Sequence, residues 1–90
     1  MKILHYSTQY KKDFKKYRNQ PKKLQKLLEV LRMLQNEEKL PIELKAHRLM
    51  GEYKDCIECH IESDFLLIWF DENSNFINIL RLGSHSELFI

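Results

Sequence analysis

Apolar residues recur at two different periods along this chain. Between Tyr10 and Leu34 they return every third or fourth position: Tyr10, Phe14 and Tyr17, then Leu24, Leu27, Leu28, Leu31 and Leu34. That period lines one face of a helix. Asn19-Gln20-Pro21 interrupts it, and Pro21 suits the first turn of a second helix. With so short a connection the two helices form an antiparallel hairpin. The aromatic stripe of the first helix is assigned to the core rather than to stacking on nucleic acid.

From Tyr53 onward the period becomes two. Ile57, Cys59 and Ile61 alternate with Glu58, His60 and Glu62, and the unbroken apolar run Phe65 to Phe70 reads as a buried strand. Phe76 to Leu82 gives a third strand, with turns at Ser63-Asp64 and within Asp71 to Asn75. Ile3 to Tyr6 adds a short first strand before Ser7-Thr8, a pair able to cap a helix. Asn36 to Gly51, with Pro41 inside it, is left as one long irregular segment of the kind that carries function. The order is β-α-α-β-β-β: an α+β fold, an antiparallel sheet with a helical hairpin on one face, one domain over residues 1–90.

Turn length fixes register. A two-residue turn at Ser63-Asp64 pairs His60 with Leu67, and a three-residue loop Asn73-Ser74-Asn75, with Asn75 left-handed, pairs Leu67 with Arg81. Ile57, Cys59, Ile61, Leu66, Ile68, Phe70, Leu80 and Leu82 then lie under the helices. Glu58, His60, Glu62, Trp69 and Arg81 share the open face, with Asp64 at its rim and His85 arriving past Gly83.

Charge changes the picture. Net charge is only +2, yet residues 1–35 hold ten Lys/Arg against two Asp/Glu, and residues 36–90 hold five against eleven. The basic third, with Lys11, Lys12, Lys15, Lys16, Lys22, Lys23 and Lys26, points to a polyanionic partner. With no signal-peptide core and no apolar run of membrane-spanning length, a cytoplasmic protein with reduced cysteines is expected.

Cys56-Ile57-Glu58-Cys59-His60 matches the C-x-x-C-H spacing of haem attachment. Strand alternation, however, sends Cys56 and Cys59 to opposite faces, and no second ligand pair is visible. No metal or other cofactor is expected, and His5, inside an apolar strand, is read as structural. The richer chemistry lies in Leu80 to Phe89. Arg81 offers a permanent planar charge, His85 a proton carrier near neutral pH, and Phe89 a face for a base. His47, beside Arg48, is a further candidate substrate contact.

Three segments in order, Ala46 to Gly51, Cys59 to Phe65 and Leu80 to Phe89, make the whole chain resemble the YafQ branch of the RelE/ParE superfamily. These are the toxins of bacterial type II toxin–antitoxin pairs. The resemblance implies a ribosome-dependent endoribonuclease that cuts mRNA in the decoding site and is silenced by a cognate antitoxin. Its partners would be that antitoxin, mRNA, and ribosomal RNA met through the lysines. The family's histidines fall on His47, His60 and His85, its acid on Asp64, its phosphate-facing arginine on Arg81 and its terminal aromatic on Phe89. Phe65 stands where some members have Trp. The implied chemistry is metal-independent attack by the RNA 2′-hydroxyl. His60 with Asp64 takes the base side, His85 serves as acid, and Arg81 faces the non-bridging oxygens. His47 and Phe89 would position phosphate and base; the base and acid labels are interchangeable at this level. Two alternatives stay open, a gyrase-directed toxin of the same fold and a non-catalytic protein-binding module. The His/Asp/His set favours RNA cleavage.

Overall fold

The computed structural model describes residues 1–89. In chain order the elements are β1 (Ile3–Tyr6), α1 (Thr8–Lys15), α2 (Pro21–Gln35), β2 (His47–Arg48), β3 (Ile57–Glu62), β4 (Phe65–Asp71), β5 (Phe76–Gly83) and α3 (His85–Leu88). The strands form one sheet in the order β1-β5-β4-β3-β2. β2 to β5 pair antiparallel, as the alternating segments and their turns require. β1 lies parallel to β5, so the sheet is mixed. A parallel neighbour needs a long connection, and the helical hairpin with all that follows it provides one.

Local chemistry accounts for both long helices. The Ser7 side chain accepts the Tyr10 N–H and so caps α1, while Pro21 opens α2. Tyr10 and Tyr17 are buried as the aromatic stripe predicts, along with Leu27, Val30, Leu31 and Leu34. Leu28 departs from the expected stripe and is 62% exposed. No helix among the described residues is long and apolar enough to cross a membrane.

Next to the turns the register is the one the sequence predicts, with Glu62 facing Phe65 and Asp71 pairing with Ile77, but the expected pairs His60–Leu67 and Leu67–Arg81 are replaced by His60–Leu66 and Leu67–Leu82. The left-handed residue of the second loop is Asn73 rather than Asn75, and its N–H is held by Asp71 Oδ1 at 2.9 Å. Beyond the turns, two bulges shift the pairing by one residue. Ile61 is extra between His60↔Leu66 and Glu62↔Phe65, and Leu80 is extra between Ile68↔Arg81 and Trp69↔Ile79.

The shift corrects the predicted faces. Leu67 and Trp69 join Cys59, Ile61, Ile77, Ile79 and Leu82 beneath the helices. Leu66, Ile68, Phe70 and Leu80 turn to the other side. That side is not open. It forms a second, smaller core with Cys56 and Leu88, covered by Leu49 from the segment read as irregular and by Tyr53 just after it.

Leu27 is fully buried and its helical neighbour Leu28 is not. Leu27→Ala is therefore expected to cost about 2–5 kcal/mol in urea unfolding, and Leu28→Ala no more than about 0.5 kcal/mol. Equal losses would contradict the helix orientation described.

Candidate active site

The histidines meet because the segment before β3 folds back as β2, which places His47 directly opposite Glu58. Glu58 and His60 are two apart on β3 and so project to the same side of it. The result is a trio. Glu58 Oε1 lies 3.4 Å from His47 Nε2 and 3.5 Å from His60 Nε2. Glu58 is 3% exposed, and its second oxygen is buried with no hydrogen-bond partner among the described residues. His47 Nδ1 lies 2.8 Å from the Lys45 carbonyl. A carbonyl only accepts, so Nδ1 carries a proton there and Nε2 is the atom presented to Glu58.

His85 reaches the same place from the far end of the sheet as the first residue of α3. Its backbone N–H donates to Asp64 Oδ1 at 2.8 Å, and its Nδ1 lies 2.7 Å from the same oxygen. These two bonds, the backbone one first, hold the Asp64 carboxyl below its ordinary range. They also assign the proton to Nδ1 and leave His85 Nε2 for a substrate. The rings form a row: His47 to His60 is 6.2 Å, His60 to His85 5.6 Å and His85 to Phe89 6.4 Å between centroids. Tyr53 meets Phe89 edge-on at 5.7 Å and closes the row.

Arg81 is tied more tightly than the sequence implied. Its Nε donates to Asp13 Oδ2 at 2.8 Å and its Nη2 to Oδ1 at 3.3 Å, while Nη1 donates to the Tyr53 hydroxyl at 3.1 Å. Burial alone would raise the Asp13 carboxyl. Hydrogen bonds from Arg81, the Leu82 N–H and Gln9 outweigh it and hold the carboxyl below its ordinary value. The guanidinium is thus a pre-oriented cation beside the aromatic end of the row.

Residues 2–90 match the family model described as the bacterial toxin of type II toxin–antitoxin system, YafQ. The chain belongs to the YafQ toxin family. It is 33% identical over 87 residues to the mRNA interferase toxin YafQ of Escherichia coli K12, covering 96% of this chain and 94% of that protein. Its fold matches YafQ in a crystal structure of the E. coli DinJ-YafQ complex with a TM-score of 0.87 at 30% identity, covering all of both chains. A metal-bound toxin from Helicobacter pylori matches at a TM-score of 0.88 and 37% identity, over 99% of this chain and all of that one.

Within this YafQ-family site the structure gathers His47, His60, Asp64, His85 and Phe89, and sets Arg81 at their edge through Tyr53. Two pairings differ from expectation. Asp64 serves His85 rather than His60, and the carboxylate beside His60 is Glu58. Glu58 escaped the sequence reading because β2, the strand that buries it, is only two residues long. Asp13 and Tyr53 were missed as well. The one available signal for Asp13 was a lone acid among the lysines of a helix otherwise striped with aromatics. The His47, Glu58 and His60 ligand atoms all lie within 4.8 Å of one another, a donor set suited to zinc or copper.

The remaining sequence candidates separate. Lys23 and Lys26 both bind Glu62, and Lys16 lies 3.8 Å from Glu87, whereas Lys11, Lys12, Lys15 and Lys22 are exposed with no acidic partner among the described residues. Cys56 and Cys59 are free and buried in different cores, as the alternation argument required. Burial, with the Glu58 charge adding to it, pushes the Cys59 thiol up to about 12. Neither sulfur is presented to a partner. His5 lies exposed on the edge strand, with its ring 4.5 Å from Phe76.

Proposed function

We propose that this YafQ-family toxin cuts mRNA on the ribosome, using the imidazole row to move two protons during attack by an RNA 2′-hydroxyl. It is an endoribonuclease, as its relatives named mRNA interferase toxin are. The observation that carries the mechanism is the row His47–His60–His85, held between two carboxylates that each bind imidazole nitrogen. RNA brings its own nucleophile, so the protein needs a base, an acid and fixed positive charge.

The geometry supports one assignment of roles. Glu58 with His60 takes the 2′-hydroxyl proton as the 2′-oxygen bonds to phosphorus. His85, as imidazolium, keeps its Nδ1 proton on Asp64 and gives the Nε2 proton to the departing 5′-oxygen. Asp64 thereby fixes the ring's orientation and its tautomer. Arg81 and His47 carry the charge of the phosphorane-like transition state, and Phe89 offers a face to a neighbouring base. The products are a 2′,3′-cyclic phosphate and a 5′-hydroxyl. The cognate antitoxin is the partner that silences this chemistry, and an E. coli relative has been solved in complex with DinJ.

The test is cleavage of a defined mRNA by purified protein, with and without programmed ribosomes. Ribosome-enhanced cutting that falls about 10²–10⁴-fold in His85→Ala is expected. Equal cutting without ribosomes would remove the ribosome from the account. No cutting by folded protein would favour the gyrase-directed or protein-binding alternatives.

The exposed lysines Lys11, Lys12, Lys15 and Lys22 are assigned to ribosomal RNA phosphates. Ribosome affinity should fall as salt rises, and each Lys→Ala change among them should reduce the salt slope by about one unit or less. Lys26→Ala should do less, since that cation already binds Glu62. An affinity independent of salt would overturn this assignment.

A further inference from the structure

We propose that α1 and the turn that follows it, which contribute no residue to the row of rings, carry two positioning residues for the site: Asp13 for Arg81 and Tyr17 for His85. The proposal rests on the nuclease reading above and extends it to a helix outside the reacting groups.

β1 ends at Tyr6, which pairs with Ile79, so β5 runs on toward Gly83 without a neighbour on that edge. Ser7, the cap of α1, and Asp13, in its last turn, fill the gap. The Ser7 hydroxyl donates to the Leu80 carbonyl at 2.7 Å, and the Leu82 N–H donates to Asp13 Oδ2 at 3.0 Å. The same carboxylate receives Arg81 and Gln9, so an Asp that is 2% exposed accepts from four donor groups. It substitutes for the missing strand and fixes the arginine's direction in one contact.

In the turn just past the C-terminus of α1, the Tyr17 hydroxyl donates to Glu87 Oε1 at 2.5 Å. Glu87 closes the cap of α3: its Oε1 also accepts the Ser84 N–H at 2.8 Å, while its own N–H reaches Ser84 Oγ at 3.2 Å. A helix of four residues does not hold itself together, so α3 keeps its place through such anchors. Asp64 fixes the His85 ring and backbone N–H from one side, and the Tyr17–Glu87 bond fixes the turn from the other. The fit at Gly83 is equally close, because a Cβ there would come within 2.8 Å of Glu87 Oε1. Tyr17 also packs on Phe65, the residue next to Asp64, with ring centroids 4.7 Å apart. One tyrosine thus reaches both supports of His85.

Tyr17→Phe removes one hydroxyl and leaves the ring, so the fold is retained. The expected result is a single-turnover cleavage rate about tenfold lower, with half-saturating substrate concentration and melting temperature close to wild type, since small misplacements of reacting groups act on the chemical step. Amide exchange at His85 and Phe89 should accelerate in the same variant. Glu87→Gln keeps the acceptor and should retain the rate to within about threefold, whereas Glu87→Ala should match Tyr17→Phe, and the double variant should lose nothing more. Asp13→Asn should also lower the rate about tenfold, with Arg81→Ala adding little to it. Wild-type exchange at His85 in Tyr17→Phe would overturn the Tyr17 role whatever the activity. Faster exchange with an unchanged rate would overturn it too, and additive losses for Asp13→Asn and Arg81→Ala would overturn the Asp13 role. If wild type itself cut no RNA, the nuclease reading would fall, and exchange at His85 would still decide whether Tyr17 holds α3.

Discussion

Burial of β4 on both faces is the constraint on which the rest of this structure depends. Phe65, Leu66, Leu67 and Ile68 are fully buried and Trp69 nearly so, which is possible only if each sheet face is covered. The helices cover one face, and the segment around Leu49 and Tyr53, with α3, covers the other. A strand filled in this way has no room for a polar side chain. The groups proposed to react must come from its margins: the β2–β3 edge, the turn after β3, and the chain beyond β5. His47, Glu58 and His60 come from the first, Asp64 from the second, and His85 and Phe89 from the third.

Much of this was legible in the sequence. The helical period found both long helices, Ser7 and Pro21 marked their starts, and the turn lengths gave the pairing beside each turn, though not beyond the bulges. The bulges at Ile61 and Leu80 were not legible, because an extra residue in a strand of mixed character leaves no compositional trace. Each reverses the faces beyond it, which is why Trp69 lies in the helix-side core and Ile68 does not. The parallel placement of β1 was equally hidden, since a single strand's direction follows from the path of the whole chain. At the site, the histidines and Asp64 stood out by residue type. Their pairings did not, because Glu58 joins them only through a two-residue strand and Asp13 through a contact 68 residues away in sequence.

On the function proposed, the electrostatic design separates holding RNA from cutting it. The positive charge assigned to binding is spread over exposed lysines of α1 and α2, where it is screened and unspecific. At the site itself the carboxylates would repel phosphate if left bare. Glu58 faces two imidazoles, Asp64 binds a third, and Asp13 neutralises Arg81 from behind while leaving its outer nitrogen on Tyr53. A toxin that only blocks a partner, gyrase included, needs no proton carriers. Three imidazoles in a row, each with an oriented nitrogen or a carboxylate beside it, are what acid–base chemistry requires.

The central claim is that this site uses the RNA's own 2′-hydroxyl, and the most direct measurement is of product ends from a ribosome-bound message carrying one 2′-deoxy nucleotide at the cleavage position. The account predicts a 2′,3′-cyclic phosphate and a 5′-hydroxyl from the all-ribose message, and no cleavage at the deoxy position. Cleavage of the deoxy message, or a 5′-phosphate on the product, would contradict it.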